Sequence, residues 1–236
     1  MRQSENSIYD VAAGEVNGHV LLLMLPGAKN TPQQLVENGF ISALRERTQG
    51  VDVLALDAAA DLYLNRAEIE RQLHDTLDAA RAHGYGRIWL LGISLGGTGA
   101  MICATQRSSE IEGIFLLAPF LGTRGMIAEV VAAGGLNLWH AGEIGNRDHE
   151  RALLTQIRHN LLVANNPPVI FLGFGTEDRY CGASRVLAEL LPPERVVVSS
   201  GGHDWETWKR LWVIILDKQP FFSSPEKSTA KLILSD

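Results

Sequence analysis

The sequence predicts an α/β fold, in which helices cover both faces of a mostly parallel sheet. Short apolar runs alternate along the chain with amphipathic stretches, as strands and helices do in such folds. The apolar runs are uninterrupted, which is typical of strands buried on both faces. The 236 residues, 46% hydrophobic and 20% charged, are enough for one well-buried domain or at most two small ones.

The first two strands are predicted at residues 20–25 and 51–56. Between them, a threonine and a glutamine in capping-box spacing, with a proline at the first helical position, predict a helix from residue 31 to about residue 49. Gly50 then ends that helix.

The alternation continues through the middle of the chain. Asn65 can cap a helix over residues 66–83, in which apolar side chains recur at spacings of three and four. Strands are predicted at residues 88–91 and 114–117, with a glycine-rich turn and a helix to about residue 106 between them.

No strand pattern appears between residues 119 and 166. Two helices are predicted there, at residues 123–133 and 148–162. An insertion of this size over a sheet usually carries function, so we expect a short helical cap at about residues 120–165.

The last elements of the sheet follow the cap. They are a strand at residues 169–173, a helix at 183–191, a strand at 196–199 and a helix that begins near Asp204. We expect the domain to span residues 1–218 and residues 219–236 to form a C-terminal tail.

Composition and charge exclude several functional classes. With 21 lysines and arginines against 27 aspartates and glutamates, the net charge of −6 leaves no basic surplus for a nucleic-acid partner. The two cysteines, Cys103 and Cys181, lie far apart, which excludes a disulfide framework, fits no metal spacing and favours a reducing compartment. No apolar run approaches the ~20 residues that span a bilayer, and the first residues lack a secretory signal. We therefore expect a cytoplasmic protein without a membrane span.

The most informative segment, residues 88–100, reads IWLLGISLGGTGA. Gly92, Ser94 and Gly96 match the nucleophile-elbow pattern G-x-S-x-G in its required context, with a strand before and a helix after. An elbow holds the serine on a strained turn, and only glycines let the neighbouring backbones approach so closely. The following helix begins with N–H groups beside the oxygen that becomes anionic. Ser94 is therefore the predicted nucleophile.

Two other interpretations of this segment remain open. The glycines can form a tight turn without chemistry, or Gly92, Ser94 and Gly97 can be a degraded dinucleotide-binding fingerprint. The fingerprint requires an acidic residue at the end of the next strand, where residues 116–119 read LLAP. The elbow is therefore the favoured interpretation.

At these residues the chain resembles the α/β-hydrolase superfamily, and the resemblance extends over residues 20–216. The chain looks most like small bacterial serine hydrolases of unassigned substrate. The segments GISLGGTGA and GGHDWETW are also similar to stretches of esterase D type carboxylesterases and related acyltransferases. The resemblance implies an α/β-hydrolase fold and a catalytic triad in the chain order serine, acid, histidine.

His203 is the predicted base of this triad. Of the seven histidines, it alone lies in a glycine-rich loop between a late strand and a helix. The chain order implies Asp178 as the acid, because this residue follows the strand at residues 169–173, where the family places it. Glu177 is the nearest alternative. Asp204 adjoins the histidine, but consecutive side chains point apart.

The resemblance also implies an oxyanion hole made by two backbone N–H groups. One belongs to Leu95, directly after the nucleophile, and the other to Ala28, in the loop after the first strand. That loop has Pro26 where many relatives have histidine, a departure that leaves a main-chain donor intact. A purely structural turn is the alternative interpretation.

Substrate-binding residues are expected in the cap and beside the triad, at Phe120, Leu121, Trp139 and Tyr180. Alternatively, the apolar cap residues only pack on the core. The expected function is cleavage of a small-molecule carboxylic ester or thioester through an acyl-enzyme, with no metal or organic cofactor. The alternatives are acyl transfer by the same triad and ligand binding without catalysis.

Overall fold

The computed structural model describes residues 6–13, 20–57 and 65–221. The strands are β1 (Ile8–Asp10), β2 (Val20–Leu25), β3 (Val51–Ala55), β4 (Arg87–Ile93), β5 (Gly113–Leu117), β6 (Val169–Gly175) and β7 (Val196–Ser199). They form one sheet in the order β1-β3-β2-β4-β5-β6-β7, with β1 antiparallel to β3 and the other neighbours parallel. The predicted α/β class with a mostly parallel sheet is confirmed.

Helices cover both faces of this sheet. They are α1 (Pro32–Glu37), α2 (Phe40–Arg45), α3 (Arg66–Ala82), α4 (Leu95–Gln106), α5 (Arg124–Ala132), α6 (His149–Leu162), α7 (Cys181–Ala188) and α8 (Trp205–Leu216). Helices α3 to α7 contribute to one buried apolar cluster, whereas α1, α2 and α8 contribute to another on the opposite face. None of the helices in the described ranges is long and apolar enough to cross a membrane.

The parallel strands place the candidate site. Every residue of β2, β3 and β5 is buried, because each of these strands has neighbours on both sides and helices over both faces. The carboxyl ends of parallel strands meet at one edge of a sheet, where such folds bind ligands. The loops after β2, β4, β5, β6 and β7 therefore converge there.

The segment after β2 differs from its prediction, because two short helices, α1 and α2, replace one helix to about residue 49. Gly39 separates them with a φ of 74°, a left-handed conformation that glycine adopts without strain. Trp212 of α8 donates its indole N–H to the carbonyl oxygen of Phe40 at 3.0 Å. Tertiary packing thus overrides the helical pattern.

Two smaller differences concern local boundaries. Strand β1 was not predicted, since its three partly exposed residues show no periodic pattern and pair with the distant β3. Helix α7, Cys181–Ala188, begins two residues before the predicted start at residue 183 and ends three residues before the predicted end at residue 191.

The core extends into the predicted C-terminal tail. Phe221 is 1% exposed, and its ring centroid lies 5.2 Å from that of Trp89 and 5.3 Å from that of Phe115. Arg87 donates to the carbonyl oxygen of Phe221 at 2.6 Å. The folded core therefore continues past residue 218, and residues 222–236 lie outside the described ranges.

The cap comprises α5, α6 and the loop between them. Its two helices lie close to the predicted positions. Arg151 of α6 donates to Glu129 of α5 at 2.7 Å and to Asp148 at 2.9 Å, and Trp139 donates its indole N–H to Glu129 at 2.9 Å. The hydrogen bonds from Arg151 and Trp139 lower the pKa of Glu129 to about 2. Glu129 thus joins three parts of the cap.

Candidate active site

Ser94 lies on the sharp turn between β4 and α4. Its φ of 52° and ψ of −117° are unusual for a residue other than glycine. A Cβ on Gly92 would lie 2.6 Å from the carbonyl oxygen of Gly96, and a Cβ on Gly96 would lie 2.1 Å from that of Leu25. Close backbone packing therefore requires glycine at both positions of the motif.

The structure brings Ser94, His203 and Asp178 into one chain of hydrogen bonds. The Ser94 hydroxyl oxygen lies 2.8 Å from His203 Nε2, and His203 Nδ1 lies 2.7 Å from Asp178 Oδ2. Because an ionised carboxylate only accepts hydrogen bonds, this arrangement assigns the proton to Nδ1 and leaves Nε2 to accept from the serine. Loops after β4, β6 and β7 thus meet at one point.

The surroundings of Asp178 and His203 fix the direction of the imidazole. The side chain of Asp178 has no exposed surface, and its Oδ1 accepts the backbone N–H of Tyr180 at 2.7 Å. The His203 ring makes edge-to-face contacts with Tyr180 and Trp208, each at a centroid distance of 5.0 Å. The histidine therefore has packed walls and a buried carboxylate partner.

The other candidate acids have different contacts. Glu177 is exposed, and its carboxylate accepts from the hydroxyl of Thr176 at 3.4 Å. Asp204 caps α8 by accepting the N–H of Thr207 at 2.9 Å, and this hydrogen bond holds the pKa of Asp204 below its usual value. Asp178 is the carboxylate that contacts the histidine.

The loop that contains Ala28 lies against Ser94, since a Cβ on Gly27 would be 3.3 Å from the serine Cβ. A hydrogen bond of 3.0 Å from Asn30 N–H to the Gly27 carbonyl closes this loop. Within the described ranges, the backbone N–H groups of Ala28 and Leu95 donate to no protein acceptor. Two unengaged donors of this kind can stabilise a developing oxyanion.

Two cavities lie beside the site, with Phe120 in the wall of both. The large cavity, of about 820 Å³, is lined by Leu95, Leu121 and cap residues that include Leu153. The small cavity, of about 280 Å³, lies between α5 and α7 and is lined by Tyr180. Phe120 donates its backbone N–H to the carbonyl oxygen of Ser94 at 2.9 Å, which places both cavities close to the serine.

Trp139 lines neither of these cavities, and its expected contact with substrate stays a prediction. Its side chain is 2% exposed and packs beneath the cap, with the indole N–H bound to Glu129. This burial favours the alternative interpretation, in which apolar cap residues pack on the core.

Four arginines in the cavity walls were not predicted. Arg66 and Arg147 line the large cavity, and Arg124 and Arg179 line the small one. They come from four separate segments, so no sequence spacing relates them. Among the described residues, no group of three or more His, Cys, Asp or Glu side chains is positioned to hold a metal ion.

No protein-family model matches the sequence, and no curated protein is significantly similar to it. Solved structures do match. An S-formylglutathione hydrolase from Agrobacterium tumefaciens is 14% identical, with a TM-score of 0.63 over 93% of this chain and 91% of that one. A monoacylglycerol lipase from Paleococcus ferrophilus is 15% identical, with a TM-score of 0.56 over 90% of this chain and 98% of that one.

A predicted CIB-like hydrolase from Thermoplasma acidophilum is also similar, at 15% identity and a TM-score of 0.59 over 90% of this chain and 91% of that one. These likenesses concern the course of the backbone, and each extends over nearly the whole of both chains. Together with the sheet order and the turn at Ser94, they show that the chain has the α/β-hydrolase fold.

Proposed function

We propose that this protein is a serine hydrolase that cleaves a carboxylic ester or thioester through an acyl-enzyme. The observation that carries the proposal is the continuous hydrogen-bond chain from Ser94 through His203 to the buried Asp178. A serine hydroxyl is a weak nucleophile until a neighbouring base takes its proton, and an imidazole backed by a carboxylate is suited to that task.

In the first half of the proposed reaction, Ser94 Oγ forms a bond to the carbonyl carbon of the substrate while His203 Nε2 takes the hydroxyl proton. The negative charge of Asp178 stabilises the imidazolium that results. The tetrahedral intermediate then collapses, the bond to the leaving oxygen or sulfur breaks, and Nε2 gives its proton to that atom. An acyl group remains on Ser94.

In the second half, His203 takes a proton from a water molecule, whose oxygen attacks the acyl carbon. Collapse of the second intermediate releases the carboxylic acid and returns the proton to Ser94 Oγ. In both halves the backbone N–H groups of Leu95 and Ala28 are proposed to hold the oxyanion, with support from the partial positive charge at the start of α4.

The cavities support a small-molecule substrate. Pockets of roughly 300–1,000 Å³ are typical of small-molecule sites, and the large cavity falls within this range. Phe120, Leu121 and Tyr180 are the proposed wall residues. The expected cytoplasmic location stays a prediction.

Labelling with a fluorophosphonate probe tests the proposal. We expect the wild-type protein to be labelled and Ser94→Ala not to be, because the probe reacts only with an activated serine. Ser42→Ala, which removes an exposed hydroxyl on α2, is the matched control and should be labelled like the wild type. An unlabelled wild-type protein that still binds esters would instead support the ligand-binding alternative.

A second measurement separates hydrolysis from acyl transfer. Short-chain, long-chain and aromatic 4-nitrophenyl esters are supplied with and without an added alcohol, and the acyl products are identified. The free acid as the main product supports hydrolysis. An acyl ester of the added alcohol as the main product would favour acyl transfer by the same residues.

A further inference from the structure

The two cavities beside Ser94 differ in position relative to His203. Tyr180, whose ring contacts that of His203 at 5.0 Å, lines the small cavity but not the large one. Leu95, which supplies one proposed oxyanion donor, lines the large cavity but not the small one. Phe120 contributes to both walls. The small cavity is therefore on the histidine side of the serine, and the large cavity is on the oxyanion side.

This difference in position assigns the leaving group and the acyl group of an ester to different cavities. The base must return its proton to the leaving atom, so the leaving group has to lie within hydrogen-bond reach of His203 Nε2. The leaving group then extends along Tyr180 into the small cavity, and the acyl group occupies the large cavity behind Phe120. The volumes, about 280 Å³ and about 820 Å³, favour a compact leaving group and a bulkier acyl group.

The charges of the two walls also differ. The wall of the large cavity contains side chains of both charges: Arg66 and Arg147 are basic, and Asp148 and Glu150 are acidic. The small cavity has Arg124 and Arg179 among its lining residues and no carboxylate. The small cavity is therefore positively charged, although the whole chain carries a net charge of −6.

Neither arginine of the small cavity has an acidic partner among the residues that the structure describes. Within the part of the chain that the structure describes, Arg124 and Arg179 form no ion pair or hydrogen bond with a carboxylate. Arg179 instead lies over the ring of Tyr180, with its guanidinium carbon 4.7 Å from the centroid. By contrast, Arg151 and Arg107, which lie outside both cavities, are each paired with two acidic residues. The two guanidinium groups are free to bind an anion.

From these observations we infer that the leaving group of the substrate is an alcohol or thiol with a carboxylate or phosphate group, held in the small cavity by Arg124 and Arg179. This inference rests on the proposed function, since it names the substrate class of the same site. Guanidinium groups bind both anions through paired N–H donors, and both arginines are exposed, so the expected preference is modest and sensitive to salt.

The test compares butyryl esters that differ only in the leaving group. The esters of 3-hydroxybenzoate and of 3-hydroxyphenyl phosphate carry the two anions, and the ester of methyl 3-hydroxybenzoate is the neutral counterpart. The measured quantity is the ratio of kcat/KM for each anionic ester to that for the neutral ester, corrected for the rate with hydroxide alone. The two anionic arms distinguish a carboxylate ligand from a phosphate ligand.

We expect the ratio to be about fivefold to tenfold above one in wild type and to fall towards one in 0.5 M NaCl. Arg124→Gln and Arg179→Gln should each lower the ratio, and Arg124→Glu should lower it further. The control is Arg185→Gln. Arg185 lies on α7, which contributes Gly182 and Ala183 to the wall of the small cavity, but its own side chain lines neither cavity, so the ratio should stay unchanged. Circular dichroism of each variant checks that it is folded.

A ratio near one in wild type, or a ratio that Arg124→Gln and Arg179→Gln lower no more than Arg185→Gln does, overturns the inference. In that case hydrolysis of the neutral ester by wild type but not by Ser94→Ala leaves the proposed function intact. If wild type hydrolyses none of the three esters faster than Ser94→Ala does, the proposed function fails and the inference fails with it.

Discussion

The turn at Ser94 and the ion pair between the two cap helices differ in how closely their contacts restrict the sequence. At the turn, main-chain atoms approach so closely that Gly92 and Gly96 leave no room for a Cβ. In the cap, Glu129 and Arg151 join two helices through side chains that are 43% and 22% exposed. Dense backbone contact permits one residue type, whereas an exposed ion pair is weak and can be replaced. The difference explains why a short motif predicts the turn at Ser94, whereas no motif predicts the contacts of the cap.

The largest effect is expected from a substitution at the turn. Ser94→Ala removes the proposed nucleophile, and kcat for a 4-nitrophenyl ester should fall by a factor on the order of 10⁶, as it does when a serine protease loses its nucleophile. The matched change in the cap is Thr155→Ala, which removes a hydroxyl that donates within α6 to the carbonyl oxygen of Arg151 at 2.8 Å. Its kcat should stay close to wild type. Equal rates for the two variants would contradict the assignment of Ser94.

The next effect concerns the acid behind the histidine. Asp178→Asn should lower kcat by roughly 10⁴-fold, because an amide side chain neither fixes the Nδ1–H tautomer nor stabilises the imidazolium. Glu177→Gln changes the neighbouring exposed carboxylate and should leave kcat unchanged. Steady-state kinetics of both variants provide the comparison. A larger loss for Glu177→Gln than for Asp178→Asn would reassign the acid.

A third pair of variants compares backbone packing in the two regions. A Cβ at position 96 would lie 2.1 Å from the Leu25 carbonyl oxygen, so Gly96→Ala should lower the free energy of unfolding by about 3 kcal/mol or more. At Gly125, in the first turn of α5, no atom of the described residues beyond the adjacent backbone lies within 4 Å of the equivalent position. Gly125→Ala should therefore change stability by less than ~1 kcal/mol, in the stabilising direction.

Urea unfolding of the two alanine variants measures this difference directly. If Gly96→Ala is as stable as wild type, the loop after β2 can move away from the turn, and the close packing of the elbow is not a constraint. If Gly125→Ala is the more destabilised variant, the cap is the more tightly packed region.

The sequence is informative where local pattern and final contacts agree. Uninterrupted apolar runs identified β2 and β3 because such strands are buried on both faces. The glycines of the elbow predicted the sharp turn at Ser94 because the requirement for glycine comes from local backbone contacts. The roles of His203 and Asp178 were implied by a resemblance, since nothing in their spacing shows that the two loops meet.

Other features depend on distant contacts that leave no local pattern. Phe221 reads as part of a tail, yet its ring completes an aromatic cluster with Trp89 on the central strand. The break at Gly39 accompanies a hydrogen bond from Trp212, far along the chain. Arg124 and Arg179 meet at one cavity only because α5 and α7 are neighbours. Each of these three features depends on tertiary contacts, which the periodicity of the sequence does not show.

The smallest effect is expected from the ion pair of the cap. The pKa of Glu129 is lowered to about 2 from the ordinary value of 4.5, and the hydrogen bond from Arg151 is the largest cause. A carboxylate with a lowered pKa stabilises the folded state fully above its unfolded pKa, and this contribution is lost as the pH falls from about 4.5 to about 2. Glu129→Gln should therefore be slightly less stable than wild type at pH 7, and the two should converge over that interval.

Thermal unfolding of both proteins between pH 7 and pH 2 measures this convergence. Glu143→Gln, an exposed position in the loop of the same cap, is the control and should follow wild type throughout. A stability difference between wild type and Glu129→Gln that is the same at every pH would mean that packing of the side chain, and not its charge, joins α5 to α6. The contrast between a turn that requires glycine and an ion pair between the cap helices would then no longer apply, because both contacts would depend on packing.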